Sequence, residues 1–448
     1  MGTSSNENLP PAKNRILRDI ALGLGLILFF SWSAVVYSLW TTGGWYYLGN
    51  GDIKTGDIFK HYAAGNFVAA HAWLGLYNGN RFLEWEREDR RFLQHEALVS
   101  TQVAPPIRIR PDNFPEFEDH FYVYPPLVAL FASPFIHIDF FTISNAWFAL
   151  SILFYAVAWI ICRRTQPELK LWTLLPSVYF WAMPSFFVCL WILQNSTLTL
   201  LFIVWAAARL NRGRDIEAGL ILSALFYKPQ ILVFVLIFML AAKQYRFVAT
   251  LATASALWLL VGVVICGGMA YSGWLAVLSQ KIHLHRLENY YVGISPISLY
   301  TFFYPHSDTP VWLIPLLSAF GFLLTAWLGW RMRNFIAERD WQPSFLLYVA
   351  VALWAAFSPV VFFYDWLLTL PWFFVIASYL KDRVSLYLLV GAYVLIVNGL
   401  HLTLTYLYPA PPFGAILCPL WMAASVALML QLDTSLEKKR LPRPEPKY

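Results

Sequence analysis

The sequence predicts an all-α polytopic membrane protein with about 12 transmembrane helices. Of its 448 residues, 59% are hydrophobic and only 13% are charged, and the mean hydropathy is +0.55. Soluble domains carry about twice that share of charged residues. Apolar runs near 20 residues long recur along the chain, and each can cross a hydrocarbon core about 30 Å thick as a helix. The period-2 alternation of strands in a membrane barrel is absent from these runs.

The first run, "ILRDIALGLGLILFFSWSAVVYSLW", is too long for a signal-peptide core and lacks a small-residue cleavage site, so it predicts a retained helix. A further run, 122–138, is apolar but short, and we expect a half-helix or re-entrant segment there at the outer face. The predicted crossings are 16–40, 141–162, 171–193, 196–210, 216–228, 229–242, 247–267, 309–330, 344–362, 366–380, 384–402 and 413–431.

Most of the 32 lysine and arginine residues lie in short loops or at the two termini, which is typical of cytoplasmic segments. A cytoplasmic N-terminus places all of these clusters on the cytoplasmic side. The chain then reads as a single polytopic domain, 1–448, with a first extracytoplasmic loop at 41–121, a second at 268–295 and a cytoplasmic tail at 434–448. The basic clusters are Lys13/Arg15/Arg18, Arg163/Arg164/Lys170, Arg209/Arg212/Arg214, Lys243/Arg246, Arg331/Arg333/Arg339, Lys381/Arg383 and the C-terminal tail.

The distribution of charge and cysteine excludes several classes of function. The net charge of +6 follows membrane orientation, so it does not indicate nucleic acid. The four cysteines fall within or at the ends of apolar runs without metal-ligand spacing, which is typical of small core residues. No strand followed by a glycine-rich turn and a helix indicates a nucleotide-binding domain. We expect neither a metal nor another cofactor.

Lys228 is the clearest functional candidate, because an ionisable residue at membrane depth is costly and usually functional. It lies between two apolar halves in "AGLILSALFYKPQILVFVLIFML", and Pro229 breaks the helix there. These features predict a hairpin whose apex lies below the outer surface and offers a cation to an anionic group. The alternative is one continuous kinked helix with the lysine side chain reaching toward the interface.

Other polar groups converge on the same predicted boundary, each with a simpler alternative. The segment "GDIFKHYAAGNFVAAHAWLGLY" has helical spacing and predicts a surface helix that Asp57 opens, with His61 one turn on; helix capping alone would also explain Asp57. Gln194 and Asn195 lie between two predicted crossings. A polar turn that caps the two helices would explain them without a functional role. Tyr364 is a common interfacial residue, whereas Asp365 is less easily explained. His283, His285 and Arg286 follow a helix end and fit a solvated basic loop as well as a phosphate site.

Several segments together resemble glycosyltransferase family 87, and the similarity covers most of the chain. The segments are "GDIFKHYAAGNFV" with the later "LGLYNG", "FYVYPPLVALFASPF", "LQNSTLTLLFIVWAAARLNRGRDIEAGLILSALFYKPQ", "ISPISLYTFF" and "FSPVVFFYDWLLTLP". Two departures stand out. The family's usual Gly-Gln before Asn is here Leu193-Gln194-Asn195, and the first outer loop carries a charged insert, "RFLEWEREDRRFLQHEALVSTQVAPPIRIRPDNFPEFEDHF".

The resemblance implies a GT-C-type helix bundle with a long first outer loop that carries surface helices. It also implies an inverting transferase that moves a sugar, with mannose the commonest expectation, from a polyprenyl-phosphate donor to a glycolipid or glycan acceptor on the extracytoplasmic side. The expected location is the bacterial inner membrane, and membrane lipids are the other partners. A transporter of an anionic or lipid-linked substrate is the alternative, because broken helices and buried ionisable residues also occur in transporters.

The resemblance also implies roles for individual residues. Asp57 matches the catalytic aspartate of the first outer loop and would act as the base. The remaining candidates divide into donor-phosphate ligands (Lys228, with Arg286, His283 and His285 as helpers) and pocket residues (His61, Tyr124, Gln194, Asn195, Tyr364 and Asp365).

Overall fold

The computed structural model of the protein is entirely helical in the part of the chain that it describes, namely residues 12–41, 57–70, 76–77, 122–165, 175–284, 296–297, 300, 304, 310, 312–333, 342–359 and 361–379. The α-helices in chain order are α1 (Ala12–Thr41), α2 (Asp57–Ala70), α3 (Pro126–Ala132), α4 (Phe140–Thr165), α5 (Leu175–Trp181), α6 (Pro184–Trp191), α7 (Ser196–Leu210), α8 (Asp215–Ser223), α9 (Pro229–Ala241), α10 (Tyr245–Cys266), α11 (Gly268–Leu284), α12 (Leu313–Met332), α13 (Ser344–Phe357) and α14 (Leu370–Tyr379). Short 3-10 helices occupy Ser133–His137, Ala224–Tyr227 and Phe363–Thr369.

Helices α1, α4, α7, α9, α10 and α12 occupy ranges close to predicted crossings, whereas α8, α13 and α14 are shorter than the predicted ranges. Within the described ranges, α4, α10 and α12 are the three helices long and apolar enough to cross a membrane. Several of the others are shorter apolar helices. The predicted crossing 171–193 is divided into α5 and α6, because Pro184 begins a new helix. The crossings 384–402 and 413–431 and the tail 434–448 lie outside the described residues.

The chain reverses direction at Lys228, as Pro229 predicts. Gly219 of α8 lies against Leu251 near the start of α10, and the Trp258 indole further along α10 donates to the Ser223 hydroxyl at 3.3 Å. Helices α8 and α10 therefore run in the same direction. Because α9 connects the end of one to the start of the other, it runs in the opposite direction. The hairpin is thus the observed conformation, and the continuous kinked helix is excluded.

Local chemistry explains where this reversal occurs. A 3-10 turn, Ala224–Tyr227, tightens the end of α8, and Lys228 has φ −125° and ψ 64°, outside helical geometry. Pro229 then occupies the first position of α9, where its fixed φ suits a helix start and its missing N–H costs nothing. The apex of the hairpin is therefore Lys228 itself.

Because successive helices of the bundle run in opposite directions, the described basic clusters lie at one end of the bundle, which we call the basic end. Arg163 and Arg164 end α4, Arg209 ends α7, and Lys243 follows α9. Helix α12 runs parallel to α9, because Gly321 lies beside Phe234 and Gly329 beside Phe238 and Ala241, so Arg331 reaches the same end. At this end Asn211 joins the start of α13 by accepting from the Ser344 backbone N–H at 2.9 Å.

The opposite end, which we call the site end, holds the Lys228 apex and is covered by a second layer of structure. This layer consists of α2, residues 76–77, 122–132 and α11, which share a hydrophobic cluster separate from that of the bundle. Hydrogen bonds tie it together: the Trp274 indole donates to the Val123 carbonyl at 2.9 Å, and the Tyr77 hydroxyl donates to the Tyr124 carbonyl at 2.7 Å. Much of the predicted second loop, 268–295, is therefore the helix α11.

The segment 122–138 belongs to this layer and packs closely against α2. It forms α3 followed by the 3-10 helix Ser133–His137, a pair much shorter than a full crossing. Gly65 of α2 lies so near the backbone of Ala132 that an added Cβ would be 3.0 Å from the carbonyl carbon. A side chain at position 65 would require the backbone at Ala132 to shift by a few tenths of an ångström, so α2 and the end of α3 are tightly packed there.

Candidate active site

A tight turn between α6 and α7 organises the site end. Leu193 adopts φ 51°, the left-handed conformation that residues with a Cβ rarely take. This conformation costs on the order of 1 kcal/mol and is common at functional sites. It turns the chain so that the three residues that follow each contact a different group. They are Gln194, Asn195 and Ser196.

Asp57, the first residue of α2, is buried against this turn. The Gln194 side-chain amide is oriented with its nitrogen toward the carboxylate, to which it donates, with a distance of 3.2 Å to Oδ1; this orientation is assigned from the hydrogen-bonding partners. Asn195 donates to the Tyr124 hydroxyl at 3.2 Å. Burial, followed by the charge of Asp57 and a hydrogen-bonding interaction with it, raises the pKa of Tyr124 well above its usual range. The carboxylate thus lies between an amide and a protonated phenol.

His61 lies one turn along α2 from Asp57 and faces the same tyrosines. Its Nδ1 is 3.3 Å from the Tyr122 hydroxyl, and its ring centroid is 4.5 Å from that of Tyr124. Burial lowers the pKa of His61 to about 4, and the nearby Asp57 only partly opposes this shift. The imidazole is therefore neutral near pH 7, and it can donate or accept a hydrogen bond there but brings no charge.

Lys228 projects from the hairpin apex into a set of polar contacts. Its Nζ lies 2.6 Å from Asp365 Oδ1 and donates to Ser196 Oγ at 3.1 Å, while Ser196 donates to the same carboxylate oxygen at 2.6 Å. The ammonium is also 5.9 Å from the centroid of the Tyr364 ring, at the limit of a cation–π contact. Lys228 is only 4% exposed. The lysine is therefore neutralised in the structure by Asp365.

The turn joins these two sets of contacts. Through Gln194 it reaches Asp57 on α2, and through Ser196 it reaches the Lys228–Asp365 pair. The charges of both Asp57 and Asp365 act on Tyr124, which confirms their proximity. The structure therefore brings together eight of the residues that the sequence singles out: Asp57, His61, Tyr124, Gln194, Asn195, Lys228, Tyr364 and Asp365.

The remaining three candidates are placed differently. His283 lies within α11, which continues to Leu284, so the expectation that it follows a helix end is wrong. Only its backbone position is described. His285 and Arg286 lie outside the described residues.

Sequence reasoning missed three polar residues that support the site. Ser196 follows Gln194-Asn195 directly, and Tyr122 precedes Tyr124 by two residues, so both lay inside segments already singled out. Tyr227, next to Lys228, places its hydroxyl 2.8 Å from Thr199 Oγ1 and so ties the hairpin apex to α7. In each case the sequence offered one signal, a polar side chain close to a residue already singled out. Nothing in the sequence indicates which group that side chain contacts.

Among the described residues, no group of three or more His, Cys, Asp or Glu side chains is arranged to hold a metal ion. The arrangement that is present offers a buried carboxylate beside uncharged hydrogen-bonding groups, with an ammonium close by. Such a pairing can accept a proton at one point and stabilise negative charge at another.

Comparison with known proteins bears on what this arrangement does. Residues 122–359, just over half of the chain, match the family model described as glycosyltransferase family 87. The match includes Tyr124, the turn 194–196 and Lys228, while Asp57 and Asp365 lie outside it. Neither the curated proteins nor the solved structures gave a match.

Proposed function

Since the chain belongs to glycosyltransferase family 87 and is a membrane glycosyltransferase, we propose that it moves a sugar, with mannose as the expected one, from a polyprenyl-phosphate donor to a glycolipid or glycan acceptor on the extracytoplasmic side. The observation that carries this proposal is the link between Asp57 and Lys228 through the turn 194–196. A base and a cation at adjacent points suit a reaction in which a proton leaves one oxygen and charge develops on another.

Asp57 is the proposed base. An acceptor hydroxyl hydrogen-bonded to its carboxylate gives up its proton as the oxygen attacks C1 of the sugar. The bond between C1 and the phosphate oxygen breaks, its electron pair stays on the phosphate, and polyprenyl phosphate leaves with inversion at C1. Gln194, which donates to the carboxylate, and Tyr124, which interacts with it, are proposed to hold it in place during this step.

Lys228 is proposed to stabilise the phosphate. Its ion pair with Asp365 orients the ammonium for this role. The lysine is held 2.6 Å from Asp365 before any donor arrives. A phosphate oxygen entering beside Ser196 would compete with that carboxylate for the ammonium, so Lys228 is oriented in advance for a second anion. His61 is proposed to hydrogen-bond the sugar as a neutral group, with Asn195 and Tyr364 lining the pocket.

The transporter alternative is set aside because the chain belongs to a transferase family. The proposal also places the basic end in the cytoplasm and the site end outside, in accord with the positions of the described basic clusters. The donor is then a lipid already present in the membrane, so a soluble nucleotide-binding domain is unnecessary.

A transfer assay tests the proposal. Membranes containing the wild-type protein, Asp57→Asn or Lys228→Ala are supplied with labelled polyprenyl-phosphate mannose, and the label in the acceptor is measured. Both variants are expected to lose transfer. Asp139→Asn is the matched control, because Asp139 is an exposed aspartate that caps the start of α4 and Asn caps equally well. Normal transfer by both site variants would overturn the catalytic assignment.

A further inference from the structure

Lys60 is a buried lysine to which the proposed reaction assigns no role. It lies on α2, three residues after Asp57, and is only 7% exposed. Residues three apart on a helix are neighbours, with about 5–6 Å between their Cβ atoms. The ammonium thus originates from the same part of α2 as the proposed base.

The side chain of Lys60 is unpaired among the residues that the structure describes. The ion pairs in those ranges join Arg209 and Arg214 to Glu217, and Lys228 to Asp365. No hydrogen bond from Lys60 to a described residue is present either, and Asp57 is not an ion-pair partner. A mostly buried lysine side chain with no anionic partner among the described residues marks a place where an anion can bind.

Lys60 lies on the face of α2 that is directed toward the covering layer. Phe59 and Ala63 pack into the bundle, whereas Ala64 and Phe67 pack into the covering layer. At about 100° per residue, Lys60 falls between Ala64 and Phe67 around the helix and next to Asp57 along it. The positive charge of Lys60 also contributes to the lowered pKa of the His61 imidazole.

Among the described residues of the site, negative charges outnumber positive charges unless Lys60 is counted. Asp57 and Asp365 contribute two carboxylates, and Lys228 contributes one ammonium that already bonds to Asp365 and Ser196. A phosphate bound there with Lys228 alone would face a net negative site. When the C1–oxygen bond breaks, the phosphodiester becomes a monoester and gains a further negative charge, which requires an uncommitted cation nearby.

We propose that Lys60 is this cation and that it binds the phosphate of the lipid donor from the α2 side. The inference rests on the proposed function and adds a phosphate ligand to it. The geometry suits an inverting transfer, because the base and the leaving phosphate must lie on opposite sides of C1. Reacting atoms about 3 Å apart on each side separate them by roughly 6 Å, which a flexible lysine three residues from the base can span.

Binding of a short-chain polyprenyl monophosphate to the purified full-length protein tests this assignment directly, without requiring transfer. The proteins are wild type, Lys60→Met, which keeps the length but loses the charge, and Lys60→Arg, which keeps the charge. The Met variant is expected to bind about 10–100-fold more weakly, the usual effect of losing a charged hydrogen bond, and Arg is expected to restore most of the affinity. Lys243→Met, at an exposed lysine of the basic end, is the matched control.

Two further ligands distinguish the source of the phosphate. The matching polyprenyl alcohol is expected to bind Lys60→Met and wild type equally, because it carries no charge. Inorganic phosphate is expected to bind weakly to both. If inorganic phosphate bound as tightly as the lipid phosphate and depended on Lys60, the assignment to a lipid donor would be overturned.

Failure of this inference can be told apart from failure of the proposed function. Asp57→Asn is expected to bind polyprenyl phosphate at least as tightly as wild type, because it removes a carboxylate from the site, while losing transfer. If Lys60→Met binds the lipid phosphate like wild type, Lys60 is not a phosphate ligand, whereas the role of Asp57 stands. Equal loss of alcohol and phosphate binding in Lys60→Met would show a general packing defect and would also overturn the assignment. If wild type neither binds the lipid phosphate nor transfers sugar from it, both proposals fail.

Discussion

The Lys228 ammonium lies 2.6 Å from the Asp365 carboxylate, and both residues are almost completely buried. One comes from a helix hairpin and the other from a 3-10 turn far along the chain. Ser196 bonds to both, so the three form a closed set of hydrogen bonds. A buried pair of this kind is costly to form and more costly to break, because removing one partner leaves a buried charge.

The first prediction concerns this pair. Lys228→Met and Asp365→Asn are each expected to lower the free energy of unfolding, by about 3–5 kcal/mol where a charge is left unpaired. The double variant Lys228→Met/Asp365→Leu is expected to regain much of that stability, since no charge remains. Thermal unfolding in detergent measures stability, and the transfer assay is expected to show no recovery of activity in the double variant. If transfer returned together with stability, the pair would be structural only.

Gln194 is expected to position Asp57 for proton transfer. Replacing it with Leu keeps the size but removes the amide that donates to the carboxylate. We expect kcat to fall about 10–100-fold, the usual effect of losing a hydrogen bond to a charged group, with KM for the donor nearly unchanged. Gln194→Asn, which keeps an amide on a shorter side chain, is expected to retain part of the activity. A change confined to KM would contradict a positioning role.

His61 predicts a pH dependence of stability. Burial lowers its pKa from 6.5 to about 4 in the folded protein, so as the pH falls the unfolded chain takes up the proton first. The stabilisation is therefore complete above about pH 6.5 and is lost progressively as the pH falls toward about 4. His61→Gln cannot titrate there, so its melting temperature is expected to fall less steeply over this interval. The same slope in both proteins would show that the imidazole is not held neutral.

The orientation of the bundle can be tested with single cysteines at its two ends. In a variant lacking the native cysteines, Asp139→Cys lies at the site end and Arg214→Cys at the basic end, and both side chains are exposed. A membrane-impermeant thiol reagent applied to intact cells is expected to label position 139 and to reach position 214 only after lysis. The reverse pattern would place the proposed site in the cytoplasm.

Transfer is expected to continue in EDTA. In the proposed reaction lysine side chains meet the phosphate charge, and a monosaccharide phosphate needs no bridging cation to leave. The measurement is the transfer rate with and without chelator, and added Mg²⁺ or Mn²⁺ tests recovery. Loss of activity that a divalent cation restores would show that a metal takes part.

The turn before Gln194 is formed by a residue with a side chain. Leu193 adopts φ 51°, a conformation that glycine takes without strain. The side chain of Leu193 is buried among apolar neighbours, and this packing helps to hold it in that conformation.

The sequence by itself determined the helices and the break between them. Apolar runs of membrane length give helices, because lipid cannot satisfy backbone polar groups. Proline ends one helix and begins the next through its own geometry, so the reversal at Lys228 was predictable locally. The basic residues between the apolar runs correctly indicated which of the described helix ends lie at the same end of the bundle. Tertiary structure alone decided that Lys228 pairs with Asp365, that Gln194 reaches Asp57, and that Lys60 is buried. These contacts join residues distant in the chain, and they depend on how whole helices pack, which no local pattern encodes.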